Sequence, residues 1–344
     1  LPIYGSTDET MNLLRRYNSL IQVVTTPGLG ASKARNLGIK KSQGEFVAFL
    51  DCDDICHPER LEKQVAALSS NKKIGMGFCA MRYIDLNDQF IGEKIYCPEF
   101  LQNGFLGQLF ERNRIGSTST TMLRRTTLVD LSGFDETLAF NEEYDLWLRL
   151  AQKWQILYLD EALLYYRLHN GNISRFKEGQ RINELKALQK HSLRTIFQAL
   201  TKTYPDRSRA NLAYAQILFR MDKIEESKTI VDKLCAEGMK DKSLYFLLGN
   251  LHVHDHKLNE AESAYQYCLE LAPDCAEAYN NLGVVYTSGH LYEQAQRAFK
   301  TAISLKQHYH DPVHNLSCFE KNLNDEMKLT LIELRPVLKP EQQV

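Results

Sequence analysis

No apolar run in this sequence is long enough to cross a bilayer. The longest, such as FVAFL at 46–50, fall far short of the ~20 residues that a spanning helix needs. Neither sign of charge is in excess. The 42 Lys and Arg stand against 43 Asp and Glu, a formal net charge of −1, which removes any global electrostatic case for nucleic acid or an acidic membrane as partner. The chain carries no P-loop, no serine nucleophile elbow, no basic–aromatic stripe for nucleic acid and no N-terminal signal pattern. Its eight cysteines, at 52, 56, 79, 97, 235, 268, 275 and 318, have no zinc-finger spacing and read as reduced thiols. What is present is a globular composition, 44% hydrophobic and 25% charged over 344 residues, which suggests about two domains.

The two parts have different rhythms. Residues 1–177 alternate short β-rich runs with amphipathic stretches. LIQVVTT (20–26), EFVAFL (45–50), IGMGFCAMRYID (74–85), TSTTMLRR (118–125) and QILYLDEALLYYRLH (155–169) read as strand-bearing. DETMNLLRRY (8–17), ASKARNLGIKKS (31–42), PERLEKQVAALSS (58–70) and EEYDLWLRLAQK (142–153) read as helices. That alternation predicts an α/β sheet that is at least partly parallel. From about 178 the strands vanish. Residues 178–204 read as one long helical linker, and 205–344 as a repeat of 34-residue period with a C-terminal capping segment. Tyr245, Leu248, Gly249, Ala261 and Tyr265 recur as Tyr279, Leu282, Gly283, Ala295 and Phe299, with Gln307 where the counterpart of Pro273 would be, and Asn211, Tyr214, Ala215 and Ser227 form a degenerate earlier copy. Small residues at Gly249, Gly283, Ala261, Ala295 and Ala302 would let paired helices approach, and the pattern resembles the tetratricopeptide repeat.

FVAFLDCDD (46–54) runs a buried strand into three carboxylates. Like charges about 4 Å apart repel by roughly 4 kcal/mol at an effective dielectric near 20, so a cation should accompany them or they must splay into water. A D-x-D at a strand end can hold a divalent metal that clamps a diphosphate. Alone it is a weak signal. Taken with GSTDET (5–10), GASKARNLGIKKSQGEFVAFLDCDD (30–54), GFDETLAFNEEYDLWLRLA (133–151) and YYRLHNGNIS (165–174), the chain resembles glycosyltransferase family 2, whose members have the Rossmann-like GT-A nucleotide-diphospho-sugar fold.

That resemblance implies roles for named residues. Asp51 would lie near the ribose or sugar, and Asp53 would ligate Mn²⁺ or Mg²⁺ on the diphosphate. Gly5, Ser6, Arg35, Asn36 and Cys52 would join the nucleotide-sugar site, Arg35 being equally open to a structural role. Glu143 would be the catalytic base, standing where the family usually has Asp, with Glu142 as fallback. His169 would complete the metal shell or touch the diphosphate. Asp54 reads as an N-cap of the helix that carries Pro58 in its first turn, with a metal role as the alternative. Trp147 reads as core rather than as a sugar platform.

Compared with the family, the domain is N-terminally incomplete. Ile3 and Tyr4 stand where the family's D-D-G-S-T-D motif has its two aspartates, and the family's earlier first strand and nucleotide-binding loop are missing. Q-x-x-R-W and the membrane helices of processive members are not found, which favours single addition. The expectation is a metal-dependent inverting transferase, hexosyl or N-acetylhexosaminyl, that uses a nucleotide-diphospho-sugar donor, UDP first. The acceptor would be a glycan, a lipid-linked glycan or a protein, and the repeats would recruit it or a protein partner. The location would be cytoplasmic or peripheral at the inner membrane face. The alternatives are a catalytically decayed domain serving as a repeat-based scaffold and a nucleotide-sugar hydrolase. HVHDH (His252, His254, His256) falls around a turn, where its alternate spacing does not stack the rings on one helical face, and it reads as structural, as does the set His308, His310 and His314.

Overall fold

A computed structural model describes residues 2–4, 9–17, 19–26, 30–95, 97, 100–169, 177–306, 308–321 and 326–332. Gly5 and Ser6 lie outside the described residues, as do 322–325 and 333–344 of the expected capping segment. The chain divides into two compact units, Leu1–Thr203 and Tyr204–Val344.

In the first unit the elements follow the order β1 (Pro2–Tyr4), α1 (Thr10–Arg15), β2 (Val24–Thr26), α2 (Ala31–Lys41), β3 (Phe46–Ala48), β4 (Ile55–Cys56), α3 (Arg60–Ser69), β5 (Ile74–Ile84) and β6 (Phe90–Ile95). Then come α4 (Phe105–Glu111), a short 3₁₀ turn (Thr118–Thr120), β7 (Thr121–Arg124), α5 (Arg125–Asp130), α6 (Glu142–Ala151), β8 (Gln155–Arg167), α7 (Lys177–Gln189) and α8 (Leu193–Thr203). The main sheet has the order β3-β7-β5-β8-β4, with β6 also paired to β5, while β1 and β2 form a separate parallel pair. The expected parallel character is present but partial. Within the main sheet β5 and β8 run parallel, and the other pairings are antiparallel.

β5 is the central strand. Its run IGMGFCAMRYI is buried along nearly its whole length, the pattern of a strand covered on both faces. From α3, Leu68 packs against Ile74 and Met122, and Trp147 of α6 is fully buried, as expected of core. The chain leaves β3 at one end of the strand order and re-enters it as β4 at the other, so residues 49–54 cross the sheet edge. This crossing carries the acidic cluster.

Two expectations are corrected. Residues 178–204 are not one helix: α7 and α8 are separated around His191 and Ser192, and the Ser192 Oγ accepts the Thr195 N–H at 3.0 Å, starting a new helix. Asp54 does not cap α3, whose N-cap position is Glu59, because β4 intervenes and pairs Ile55 with Tyr165.

The second unit is helical: α9 (Arg207–Arg220), α10 (Ile224–Ala236), α11 (Lys242–His254), α12 (Leu258–Leu271), α13 (Ala276–Ser288), α14 (Tyr292–Leu305) and α15 (His310–Glu320). The glycines behave as the repeat requires. A Cβ on Gly249 would lie 2.4 Å from the Tyr265 ring, and one on Gly283 2.4 Å from the Phe299 ring. In the degenerate copy Ser227 stands where Ala261 and Ala295 stand, and its hydroxyl donates to the Ala215 carbonyl at 2.8 Å. Among the described residues no helix is long and apolar enough to cross a membrane.

Candidate active site

The acidic tip is held from beneath by arginines. Arg60 is almost wholly buried and has no carboxylate partner among the described residues. Its guanidinium donates to the carbonyls of Phe49 (3.1 Å) and Thr121 (2.9 Å) and to Gln64 Oε1 (3.1 Å), fixing the point where β3 ends. The Asp51 N–H donates to Ser119 Oγ at 2.9 Å. From the end of β8, Arg167 donates through Nε to the Asp53 carbonyl (2.9 Å) and through Nη1 to the Asp85 carbonyl (2.7 Å). It also pairs with Asp88 at 2.6 Å. The Arg167 N–H donates to Asp54 Oδ1 at 3.1 Å. Asp54 therefore serves the loop rather than a helix end. Burial raises its carboxyl to about 6, against the pull of that N–H.

Above this base the predicted residues converge. Arg35, on α2, donates to Glu142 Oε1 at 2.6 Å and to Asp51 Oδ1 at 3.1 Å. One guanidinium thus joins three segments that are remote in sequence. Burial opposes its charge, but Asp51, Glu142 and Glu143 outweigh that and raise its pKa. Glu142 and Glu143 open α6, where the helix dipole favours negative charge. Glu142 is buried and Glu143 is partly exposed. Burial, with the Glu142 charge second, raises Glu143 to about 7.

Two residues past β8, His169 places Nε2 2.9 Å from Asp53 Oδ2. Cys52, between the two aspartates, is exposed, and burial of its thiol together with the Asp53 and Asp51 charges raises its pKa. Asn36 is engaged elsewhere. Its Oδ1 accepts the Phe134 N–H (2.8 Å), and its Nδ2 donates to the Phe134 carbonyl (2.9 Å) and to Glu136 (3.0 Å), locking the loop before α6. Gly133 adopts φ +67° there, and a Cβ on it would lie 2.3 Å from Asn36 Oδ1.

The donors at Asp53 and His169 fit a divalent cation. One carboxylate oxygen and one imidazole nitrogen converge, both partly open to solvent, which leaves other positions for phosphate and water. Among the described residues no group of three or more His, Cys, Asp or Glu could hold a metal, so the protein donors would not complete a shell. The residues missed in the sequence are Arg60, Arg167 and Ser119. The first two lie within quoted motifs, but they act on backbone carbonyls, which leave no periodic trace.

The family model for glycosyltransferase like family 2 matches residues 4–225, nearly two thirds of the chain. The chain belongs to this glycosyltransferase family. A tetratricopeptide-repeat model matches residues 243–275 and 276–309, so the glycosyltransferase domain is followed by a repeat domain, the expected α/β GT-A plus helical-repeat architecture. An uncharacterized glycosyltransferase of Methanocaldococcus jannaschii is 29% identical over 175 residues, 50% of this chain and 59% of the relative. An Escherichia coli UDP-Glc:alpha-D-GlcNAc-diphosphoundecaprenol beta-1,3-glucosyltransferase is 31% identical over 182 residues, 51% of this chain and 68% of the relative. The chain thus spans from about half to two thirds of the length of such relatives. A crystal structure of S. aureus TarS aligns over 93% of this chain and 82% of its own at 16% identity, with a TM-score of 0.42.

Proposed function

We propose that the protein is an inverting glycosyltransferase that moves a sugar from a nucleotide-diphospho-sugar to an acceptor hydroxyl. The observation that carries this reading is Arg35 bridging Asp51 and Glu142, which makes one site of the donor-side tip and the start of α6. Glu143 is the base. With its carboxyl raised to about 7, it is partly ionised at neutral pH and basic enough to take a proton from an attacking hydroxyl. Attack assisted by one base, opposite the departing diphosphate, inverts the anomeric carbon. Asp53 and His169 would hold Mn²⁺ or Mg²⁺, which when bound stabilises the charge that develops on the leaving diphosphate. Arg35 keeps Asp51 and Glu142 from repelling each other and holds α6 against the tip. Arg167 fixes the backbone of Asp53 so that its carboxylate stays beside His169.

The relative named for UDP-Glc and a lipid-linked diphosphate sugar makes UDP-glucose and a lipid-linked glycan the first pair to assay. The repeats would bring a protein partner or acceptor, and the work would be done at or near the cytoplasmic membrane face. Calorimetry with UDP and Mn²⁺, run beside a transfer assay on Glu143→Gln, tests the reading. Wild-type protein should bind and transfer, and the variant should bind without transferring. Full turnover by the variant would remove Glu143 as base, and absence of metal-dependent UDP binding by the wild type would leave the scaffold alternative.

A further inference from the structure

In the repeat unit, asparagines from the first helix of successive pairs read the backbone of the chain's own residues 326–332. Asn315 on α15 accepts the Lys328 N–H at 2.6 Å and donates to its carbonyl at 2.9 Å. Asn281 on α13 does the same for Thr330, at 2.8 and 2.9 Å. Asn280 donates to the Lys328 carbonyl (3.1 Å), and Asn250 on α11 to the carbonyls of Thr330 (3.4 Å) and Leu331 (3.3 Å). The two-point pairs fall on residues two apart, the spacing at which an extended strand presents one edge. All four asparagines are fully buried, and each left unpaired and dry would cost roughly 1–3 kcal/mol. Thr330 is the anchor: it is buried, its hydroxyl donates to Asp311 at 2.7 Å and it also meets the Tyr309 hydroxyl. Beside it, Leu331 packs on the apolar cluster of Leu247 and Leu251.

We infer that this asparagine-lined row is a binding site for an extended peptide, and that residues 326–332 are a resident occupant which a partner segment displaces. Most of these hydrogen bonds go to peptide groups, so they carry almost no preference for side chains. Selectivity comes from the threonine socket at Asp311 and Tyr309 and from the aliphatic seat that follows it. The partner segment is therefore an extended stretch with threonine followed by an aliphatic residue. When the segment leaves, water satisfies the exposed asparagines, so displacement does not strand buried amides. An occupant on the same chain acts at an effective concentration in the millimolar range, so a partner in solution binds the occupied chain weakly. The inference does not depend on the transferase reading.

The test uses the full chain and a fluorescein-labelled peptide, EMKLTLI. Thr330→Pro in the chain removes the N–H and hydroxyl of the resident segment and leaves the groove intact. We expect the peptide to bind this variant at least ~10-fold more tightly than wild type. Adding Asn315→Ala to the same variant should lose most of that gain. Equal binding to wild type and Thr330→Pro, no binding to either, or indifference to Asn315→Ala would overturn the inference. A second measurement avoids any folding defect. On the wild-type chain, excess acetylated EMKLTLI should speed amide hydrogen exchange at Lys328 and Thr330, and unchanged exchange would overturn displacement.

Discussion

Glu143→Gln should make the protein more stable at pH 8 while disabling it. In the folded chain Glu143 holds its proton up to about 7, against an ordinary 4.5. Between those values the folded state binds more protons than the unfolded state, so stability falls as pH rises. The penalty is absent below about pH 4.5 and complete above about pH 7. The displacement from 4.5 to about 7 sets a ceiling of roughly 3 kcal/mol. Glu143 is only partly buried, and the Arg35 charge opposes the rise, which brings the expected penalty to about 2 kcal/mol. Glutamine cannot ionise and escapes it. The melting temperature of the variant should therefore gain on wild type by about 4–8 °C between pH 5 and pH 8. Scanning calorimetry at pH 5, 6, 7 and 8 reads this directly. Loss of a general base should lower turnover by about 10²–10⁴-fold. A melting difference that is flat with pH would refute the electrostatics. A difference that opens with pH while turnover survives would leave the electrostatics and remove the base assignment.

Other perturbations follow from the same contacts. Wild-type turnover should fall about tenfold per pH unit below about 7, checked by a pH–rate profile, because Glu143 is then protonated. Asp53→Ala should abolish the Mn²⁺ dependence of UDP binding in calorimetry, since it removes one of two converging donors. Arg167→Ala frees the Asp53 carbonyl and the Asp88 carboxylate. It should weaken donor binding by about tenfold or more, read as a rise in donor KM, from charge-assisted bonds worth roughly 1.5–3 kcal/mol. Gly133→Ala must strain φ +67° and push Asn36 from Phe134. It should cost about 2–3 kcal/mol, seen as a lower urea midpoint.

The parts of the fold that were legible in sequence are those with a local period. The run at 74–84 is apolar enough to be covered on both faces, and it is the central strand. Gly249 and Gly283 announced a close approach of paired helices, and the Tyr265 and Phe299 rings fill it. The break between α7 and α8 had a signal too, Ser192 as an N-cap, which the continuous apolar pattern of 178–204 masked. Asp54 was misplaced because a two-residue strand is too short to leave a pattern, yet pairing with β8 diverts the chain before α3 starts. Arg35 and Glu142 are 107 residues apart, and no spacing rule relates them. Only the resemblance of their separate motifs placed them in one site. The asparagine row was visible as residues but not as a row, because its partner is the backbone of residues 328–331.

The crowding of carboxylates has a physical resolution, and it singles out one position. Asp51 and Glu142 share the Arg35 guanidinium. Asp54 and Glu143 are shifted toward the protonated form, to about 6 and about 7, with burial as the leading cause of each. Among the described residues no guanidinium bonds the Asp53 carboxylate. Its Oδ2 faces the His169 ring nitrogen, and both side chains are open to solvent, at 32% and 27% exposure. A cation placed beside Asp51 or Glu142 would compete with an arginine already bonded to them, and one beside Glu143 would have to displace a proton. Beside Asp53 it displaces no arginine. Electrostatics therefore favours a divalent ion at Asp53 over the other carboxylates of the cluster, and a diphosphate can approach that ion from the solvent side.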